Sequence, residues 1–419
     1  DAFLPAWQLM RLGDPIGAIE YCRIARDENP QYLTDLMRLQ AQLHVGIGQL
    51  DEAEALHREI LGSRSIPWAE LGLARILVLK KRHVEAESIL VDLLARHDRF
   101  IAAYELLARL QEETGRPHEA CATLATAAEK SPYRMARLRR LGTLSLAIGN
   151  PAGAEAALAE VVSQGKYSAF RDPEDHVRLV QAQLALDKIS DVQETITDLD
   201  RSMGRQPKGE VCKAVCNALI HAHKQDRAGA QQALKAAMLA GGTIRELSVE
   251  LRQDLIKTCF EQDMQEQASE LATDLLRSSA DERTIETTRA VLDTRGLGQL
   301  SRKIEARVQA EVKTLVTTGA EKARAGDFDG AVSEMMSAAR KLPGNPHVLF
   351  NAALALLRHI EHRGWNDAFA TQAHGFIQRA QRLSPANPRL AAITGFMHDL
   401  IKRYGIRPEK VLTRVIRSS

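Results

Sequence analysis

Apolar and small residues recur three and four positions apart along most of this chain, in short blocks separated by polar turns. Leu73, Ala74 and Leu77 form one such face, and Ala86, Leu90 and Leu93 form the next. That period predicts amphipathic helices. The helices come in pairs, and the pairs repeat. Ala18, Ala53, Ala86, Ala120 and Ala154 hold the same place in successive pairs, spaced 35, 33, 34 and 34 residues apart, and Ala230 and Ala331 extend the series. One pair of this length cannot bury its apolar face alone, so successive pairs must stack. The predicted fold is all-α, with no strand run of useful length.

The clearest copy contains Tyr104, Leu107, Ala108, Gly115, Ala120, Leu124, Ala127 and Pro132. Small residues at Ala108 and Ala120 let two helices approach, while Leu107 and Leu124 fill the space between pairs. Gly115 suits a left-handed cap, and Pro132 stops the second helix. These residues at a period near 34 resemble the tetratricopeptide repeat. The offsets recur at Ala6, Gly13, Ala18, Cys22 and Pro30, then at Ala41, Gly48, Ala53 and Ile60. Further copies carry Leu141, Gly142, Gly149, Ala154 and Leu158, and Gly319, Gly326, Asp327, Ala331, Met335 and Pro343. The resemblance implies a right-handed α-α superhelix of about ten helix pairs with a C-terminal capping helix.

The pattern divides the chain into a well-matched array over 1–166, diverged helical repeats over 167–297, further repeats over 298–388, and a capping helix with a basic tail over 389–419. In the diverged part, Ala230 lies 76 residues past Ala154, which reads as two units plus a polar insertion from Ser202 to Gly209. A unit around Ala268 and a helical stretch from Gln299 to Ala325 carry the array onward. The helix from Arg389 to Tyr404 reads as the polar cap of an open solenoid.

Composition narrows the classes of function. Aromatic residues make up 4% of the chain, so Ala and Leu must build the core. Five cysteines without framework spacing point to a reducing, cytoplasmic setting. A net charge of +2 gives no global attraction to nucleic acid. No apolar run reaches the ~18 residues that a membrane span needs.

Trp68-Ala-Glu-Leu-Gly-Leu-Ala74 and Ser131-Pro-Tyr-Arg, followed by Arg137, Leu141, Gly142 and Gly149, resemble bacterial response regulators that join a receiver domain to a tetratricopeptide array. The likeness is good over about 1–164. It implies that the array is the output module of a two-component system. The register places Ala2 at the fourth position of a helix, which predicts a segment before Asp1, and the resemblance makes that segment a receiver.

In this repeat family the first helix of each unit lines the concave groove. By that register Arg38, Gln42, Trp68, Leu71, Arg75, Arg109 and Arg139 face inward, together with Glu105. An arginine ladder beside an apolar patch suits a peptide or protein partner with acidic and apolar residues, because guanidinium groups pair carboxylates bidentately and Trp is a frequent anchor. The carboxylate-clamp Asn of chaperone-binding repeats is replaced by Gln42, Arg75, Arg109 or Thr143. A second candidate surface is the C-terminal stretch with Lys402, Arg403, Arg407, Lys410, Arg414 and Arg417, where Val411, Leu412, Val415 and Ile416 give a basic amphipathic helix.

Chemistry beyond binding has little local signal. Cys212 and Cys216 share a helical face with His221 and His223 close behind, but five residues from Cys216 turn His221 off the thiol face. His359 and His362 flank Glu361 without a third ligand. No phosphate-binding loop, metalloprotease motif or nucleophile elbow occurs. The expected protein is therefore a non-catalytic interaction scaffold in the cytoplasm, with no metal, cofactor or small-molecule substrate. Its alternative is a self-associating assembly factor acting as a homodimer. A nucleic-acid-binding repeat protein would carry basic positions over most of the array, and this ladder spans only four units.

Overall fold

A computed structural model describes residues 2–131, 133–166, 168–239, 241–278, 282–293, 298–385 and 387–406. Among these residues the regular elements are helices. The first five pairs are α1 (Leu4–Leu12) with α2 (Pro15–Glu28), α3 (Leu33–Gly46) with α4 (Leu50–Ser63), α5 (Pro67–Leu79) with α6 (His83–Arg96), α7 (Ile101–Glu113) with α8 (Pro117–Glu129), and α9 (Met135–Ala147) with α10 (Pro151–Gly165). Then come α11 (Pro173–Ala185) with α12 (Ile189–Met203), α13 (Pro207–His223) with α14 (Arg227–Leu239), the short α15 (Gly241–Ile244), and α16 (Val249–Glu261) with α17 (Gln265–Ser278). The chain continues through α18 (Glu282–Asp293), α19 (Gly298–Arg324) with α20 (Phe328–Lys341), α21 (Pro346–Arg363) with α22 (Asp367–Leu383), and α23 (Arg389–Arg403). Many helices adjacent in sequence pack together, among them α1 with α2, α3 with α4, α7 with α8, α9 with α10, α13 with α14 and α21 with α22, as short connections between rods dictate. The fold is an all-α succession of helix pairs.

The register residues do what their chemistry suits. Ala18, Ala53, Ala86, Ala120, Ala154, Ala230 and Ala331 are all buried. A methyl group on Gly142 would sit 2.4 Å from Leu158 Cγ, and one on Gly319 would sit 2.4 Å from Met335 Cε, so these helices meet at glycine contact distance. Gly13, Gly48, Gly115, Gly149 and Gly326 take positive φ between the two helices of their pairs, as expected of left-handed caps. Pro132 lies outside the described residues.

The diverged middle keeps a strict period that its sequence conceals. The left-handed residues there are Asp187, Gln225 and Asp263, each 38 residues after the last, and Gly149 precedes Asp187 by the same interval. Ala154, Val192, Ala230 and Ala268 follow the same spacing, and all four are buried. The 76 residues between Ala154 and Ala230 are thus two 38-residue units, not two shorter units and an insertion. Four extra residues are about one helical turn. Much of the expected insertion is helical, because α12 continues to Met203 and α13 starts at Pro207, where a proline without an N–H is tolerated.

Packing divides the chain into two compact units. One comprises Asp1–Ile89, Leu276–Ile285 and Lys303–Ser419, and the other comprises Leu90–Leu275 and Glu286–Arg302. In the first unit α23 caps α21 and α22 through Leu390, Met397, Leu400 and Ile401. Its far side is also covered, because it packs on α2. There His398 Nδ1 donates to Asp14 Oδ1 at 2.6 Å, and Asp14 in turn accepts from Gly17 N as the N-cap of α2. The last helix among the described residues therefore packs on the second helix, α2, within this unit. No helix among the described residues is long and apolar enough to cross a membrane.

Candidate functional site

Within the first unit, α3 carries Arg38, Leu39, Gln42, Leu43 and Gly46 at spacings that put them on one stripe. Leu39 and Leu43 are buried, whereas Arg38 and Gln42 are exposed. Trp68, the residue after Pro67 at the start of α5, stands half-buried beside them. The Arg38 guanidinium lies over its indole ring at 4.8 Å, an arrangement in which the ring face attracts the cation. Arg75 is seven residues, about two helical turns, beyond Trp68 and exposed. Neither arginine makes an ion pair or hydrogen bond among the described residues. Leu71, expected in the groove, is buried and belongs to the packing.

Beneath the arginines lies His57, which the sequence reading did not single out. It follows Ala41 by 16 residues, the offset at which Leu124 follows Ala108 and Leu158 follows Gly142. An imidazole therefore stands in a core position that other repeats fill with an apolar side chain. Its ring meets Trp68 edge-on at 6.2 Å, and Gly72 leaves the room for it: a Cβ there would be 2.2 Å from His57 Cε1. Burial, and then the charges of Arg38 and Arg75, hold the imidazole below its ordinary pKa. Its Nδ1 has no hydrogen-bond partner among the described residues.

The α3 stripe runs on into a cleft of about 170 Å³ in the same unit. Met10, Leu39, Leu43, Ile47 and Ile377 supply apolar lining, with Trp7 also bordering the space. Gln42, Gln378, Gln381, His374 and Thr394 supply polar groups, and α22 provides the wall opposite α3. Gln378 Nε2 donates to His374 Nε2 at 2.8 Å, while Gln42 and Gln381 have no hydrogen bond among the described residues. None of the lining residues is Asp, Glu, Lys or Arg.

In the second unit Arg109 is exposed and has no ion pair or hydrogen bond among the described residues. Arg139 differs. Its Nε lies 2.5 Å from Asp175 Oδ1, its Nη2 lies 2.7 Å from Oδ2, and Nη2 also donates to the Phe170 carbonyl. Burial pushes the Asp175 carboxyl up even with this partner present. Glu105 pairs with Arg137. The chain also covers α11 with its own α16: Arg178 pairs with Asp254, Gln181 donates to Asp254 at 3.0 Å, and Glu174 accepts from Ser248 N at 3.0 Å.

Of the basic C-terminal surface, Lys402 lies 3.4 Å from Glu20 and Arg403 lies 3.6 Å from Glu361. Arg407, Lys410, Arg414 and Arg417 lie outside the described residues, as do Val411, Leu412, Val415 and Ile416. Cys212 and Cys216 are buried, and desolvation pushes the Cys216 thiol up to about 12. His221 pairs with Asp226 and His223 with Asp187, away from those thiols. His359 meets Asp329 at 2.9 Å, and His362 stacks on Phe328 at 4.2 Å. Among the described residues no three His, Cys, Asp or Glu side chains converge as a metal set.

No family model matches the chain. No curated protein matches it either. Among solved structures, the chain is similar to YrrB, a TPR protein with an unusual peptide-binding site, at 16% identity over 41% of this chain and 84% of that one, with a TM-score of 0.34. A tetratricopeptide repeat protein from Parabacteroides merdae ATCC 43184 aligns at 13% identity over 72% of this chain and 97% of that one, TM-score 0.41. The structure of Naa15/Naa10 bound to HypK-THB aligns at 15% identity over 94% and 64%, TM-score 0.34.

Proposed function

We propose that this chain is a cytoplasmic, non-catalytic interaction scaffold that holds a partner segment with acidic and apolar residues against α3 and α5. The observation that carries this reading is the state of Arg38 and Arg75. Both are exposed and free of carboxylates among the described residues, and Arg38 lies over a half-buried Trp68, whereas Arg139 in the same ladder is already paired to Asp175. An unpaired guanidinium beside an aromatic surface favours a bidentate carboxylate ligand. Arg109 offers a further exposed cation of the same kind in the second unit.

Selection from a random displayed-peptide library on the whole chain tests the reading. Enrichment of Asp and Glu, lost on the Arg38→Glu/Arg75→Glu variant with its helical circular dichroism intact, supports it. Enrichment that is the same on both proteins contradicts it. The alternative, a self-associating assembly factor, would show as a mass that rises with concentration.

The output role in a receiver-linked system rests on the resemblance of Trp68–Ala74 and of the segment with Ser131, Arg137 and Gly142. Several of these residues have packing roles: Trp68 stacks under Arg38, Gly72 accommodates His57, and Arg137 pairs with Glu105. Partner capture by the natural full-length protein, compared with and without a phosphodonor, tests that role.

A further inference from the structure

We infer that the cleft between α3 and α22 takes one uncharged apolar side chain of the partner peptide, aromatic or long aliphatic, while an acidic residue two to three positions away pairs with Arg38. This rests on the scaffold reading above and specifies the ligand of that surface. The cleft volume of about 170 Å³ is comparable to the ~150 Å³ apolar cavity that accommodates a benzene ring.

The lining chooses the chemistry. With no formal charge among the residues around it, the cleft offers nothing to offset the desolvation of a charged group. His374 brings none, because burial pushes its imidazole pKa down. An apolar group loses nothing there and gains the contacts of Met10, Leu39, Leu43 and Ile377. The unused carboxamides of Gln42 and Gln381 each provide donors and an acceptor, which suits a peptide backbone passing over the opening. A peptide carries amides on both sides of each side chain, so it satisfies floor and rim together.

The spacing follows from two rises. Gln42 at the cleft is four residues from Arg38 on the same stripe, about 6 Å along the helix. An extended peptide advances about 3.3 Å per residue, so some two residues cover that distance. The long arginine side chain adds the reach for a third.

The same library selection on the whole chain tests this, with Gln42→Trp and Gln378→Trp as cleft-filling variants. Both positions are exposed and lie on opposite walls, so the two variants are independent of one another's folding. The expected result is a consensus with an apolar anchor and Asp or Glu two to three positions away. Each filling variant should lower the affinity for such a peptide at least tenfold while keeping the acidic preference. Arg38→Glu/Arg75→Glu should lose the acidic preference and keep the apolar one. Acidic peptides without an apolar anchor, or anchored peptides that bind both filled variants as well as the parent, overturn the cleft assignment and leave the scaffold reading standing. Apolar anchors with no acidic residue overturn the pairing with Arg38, and no enrichment at all overturns both.

Discussion

His398 donates its Nδ1 proton to Asp14 Oδ1 at 2.6 Å, and the two buried side chains are separated by 384 residues of chain. Asp14 also accepts from Gly17 N at 2.8 Å, so one carboxylate caps α2 and holds α23 against it. Removing the imidazole with His398→Ala leaves a buried carboxylate short of a partner, at a cost of about 1–3 kcal/mol. Native-state hydrogen exchange should show amide protection falling in α2 and α23 together. Loss confined to α23 would mean that the contact does not couple the two helices.

Glu54 is the hub of a second set of contacts, with Arg58, Lys80 and Arg82 all donating to its carboxylate. Burial alone pushes this carboxyl up, but the hydrogen bonds from Lys80, Arg58 and Arg82 outweigh it and bring its pKa to about 2. A carboxyl held below its ordinary value of 4.5 stabilises the fold above that pH and loses its contribution as pH falls toward about 2. Glu54→Gln should therefore be less stable than the parent at pH 7, by roughly 2 kcal/mol after allowance for solvent screening. Urea melts at pH 7 and pH 3 check this, since the gap must narrow in acid.

Gln225 sits in the left-handed region at φ +59°, where Asp187 and Asp263 stand in the adjacent repeats and Gly115 and Gly149 in earlier ones. A side chain there costs about 1 kcal/mol relative to glycine, less the entropy that glycine adds to the unfolded chain. Gln225→Gly should raise the denaturation midpoint, whereas Gln→Gly at an exposed position inside a helix should lower it. A fall at Gln225 would mean that the 38-residue register is misplaced.

Arg139 and Arg75 were equal members of one ladder in the sequence, and they should behave differently. Arg139→Ala strands the buried Asp175 carboxylate and should cost about 3 kcal/mol. Arg75→Glu touches no partner and should stay within about 0.5 kcal/mol of the parent. Parallel thermal melts decide. Equal destabilisation would show that Arg75 has a packing role.

The repeat architecture was legible where side-chain volume and backbone sign are both dictated by packing. Ala18 through Ala154 are buried at the shared position, and the glycines at 13, 48, 115 and 149 take the positive φ that the register assigns them. The middle was harder to read because Val192 stands for Ala and Asp187, Gln225 and Asp263 stand for Gly, which hid a period of 38 behind ordinary polar residues. His57 was missed although its 16-residue offset from Ala41 marks it as a polar residue in a core slot. The contact of Asp14 with His398 leaves no local trace, because each residue alone reads as an ordinary polar position on a helix end or face. Among the proposed ligand contacts, Arg38, Gln42 and Arg75 are exposed, while Leu71 is buried and Arg139 is paired with Asp175. Local periodicity does not report which of these residues a neighbouring repeat will pair or bury.

The most direct test of the scaffold reading is a charge exchange measured by fluorescence anisotropy. The affinity of a library-selected acidic peptide is compared for the parent chain and for Arg38→Glu/Arg75→Glu, and then with the peptide's acids changed to Lys. The account predicts at least a tenfold loss on the variant, about 1.4 kcal/mol, and recovery when the peptide charge is reversed. Unchanged affinity on the variant, or a loss that the reversed peptide does not restore, would contradict it.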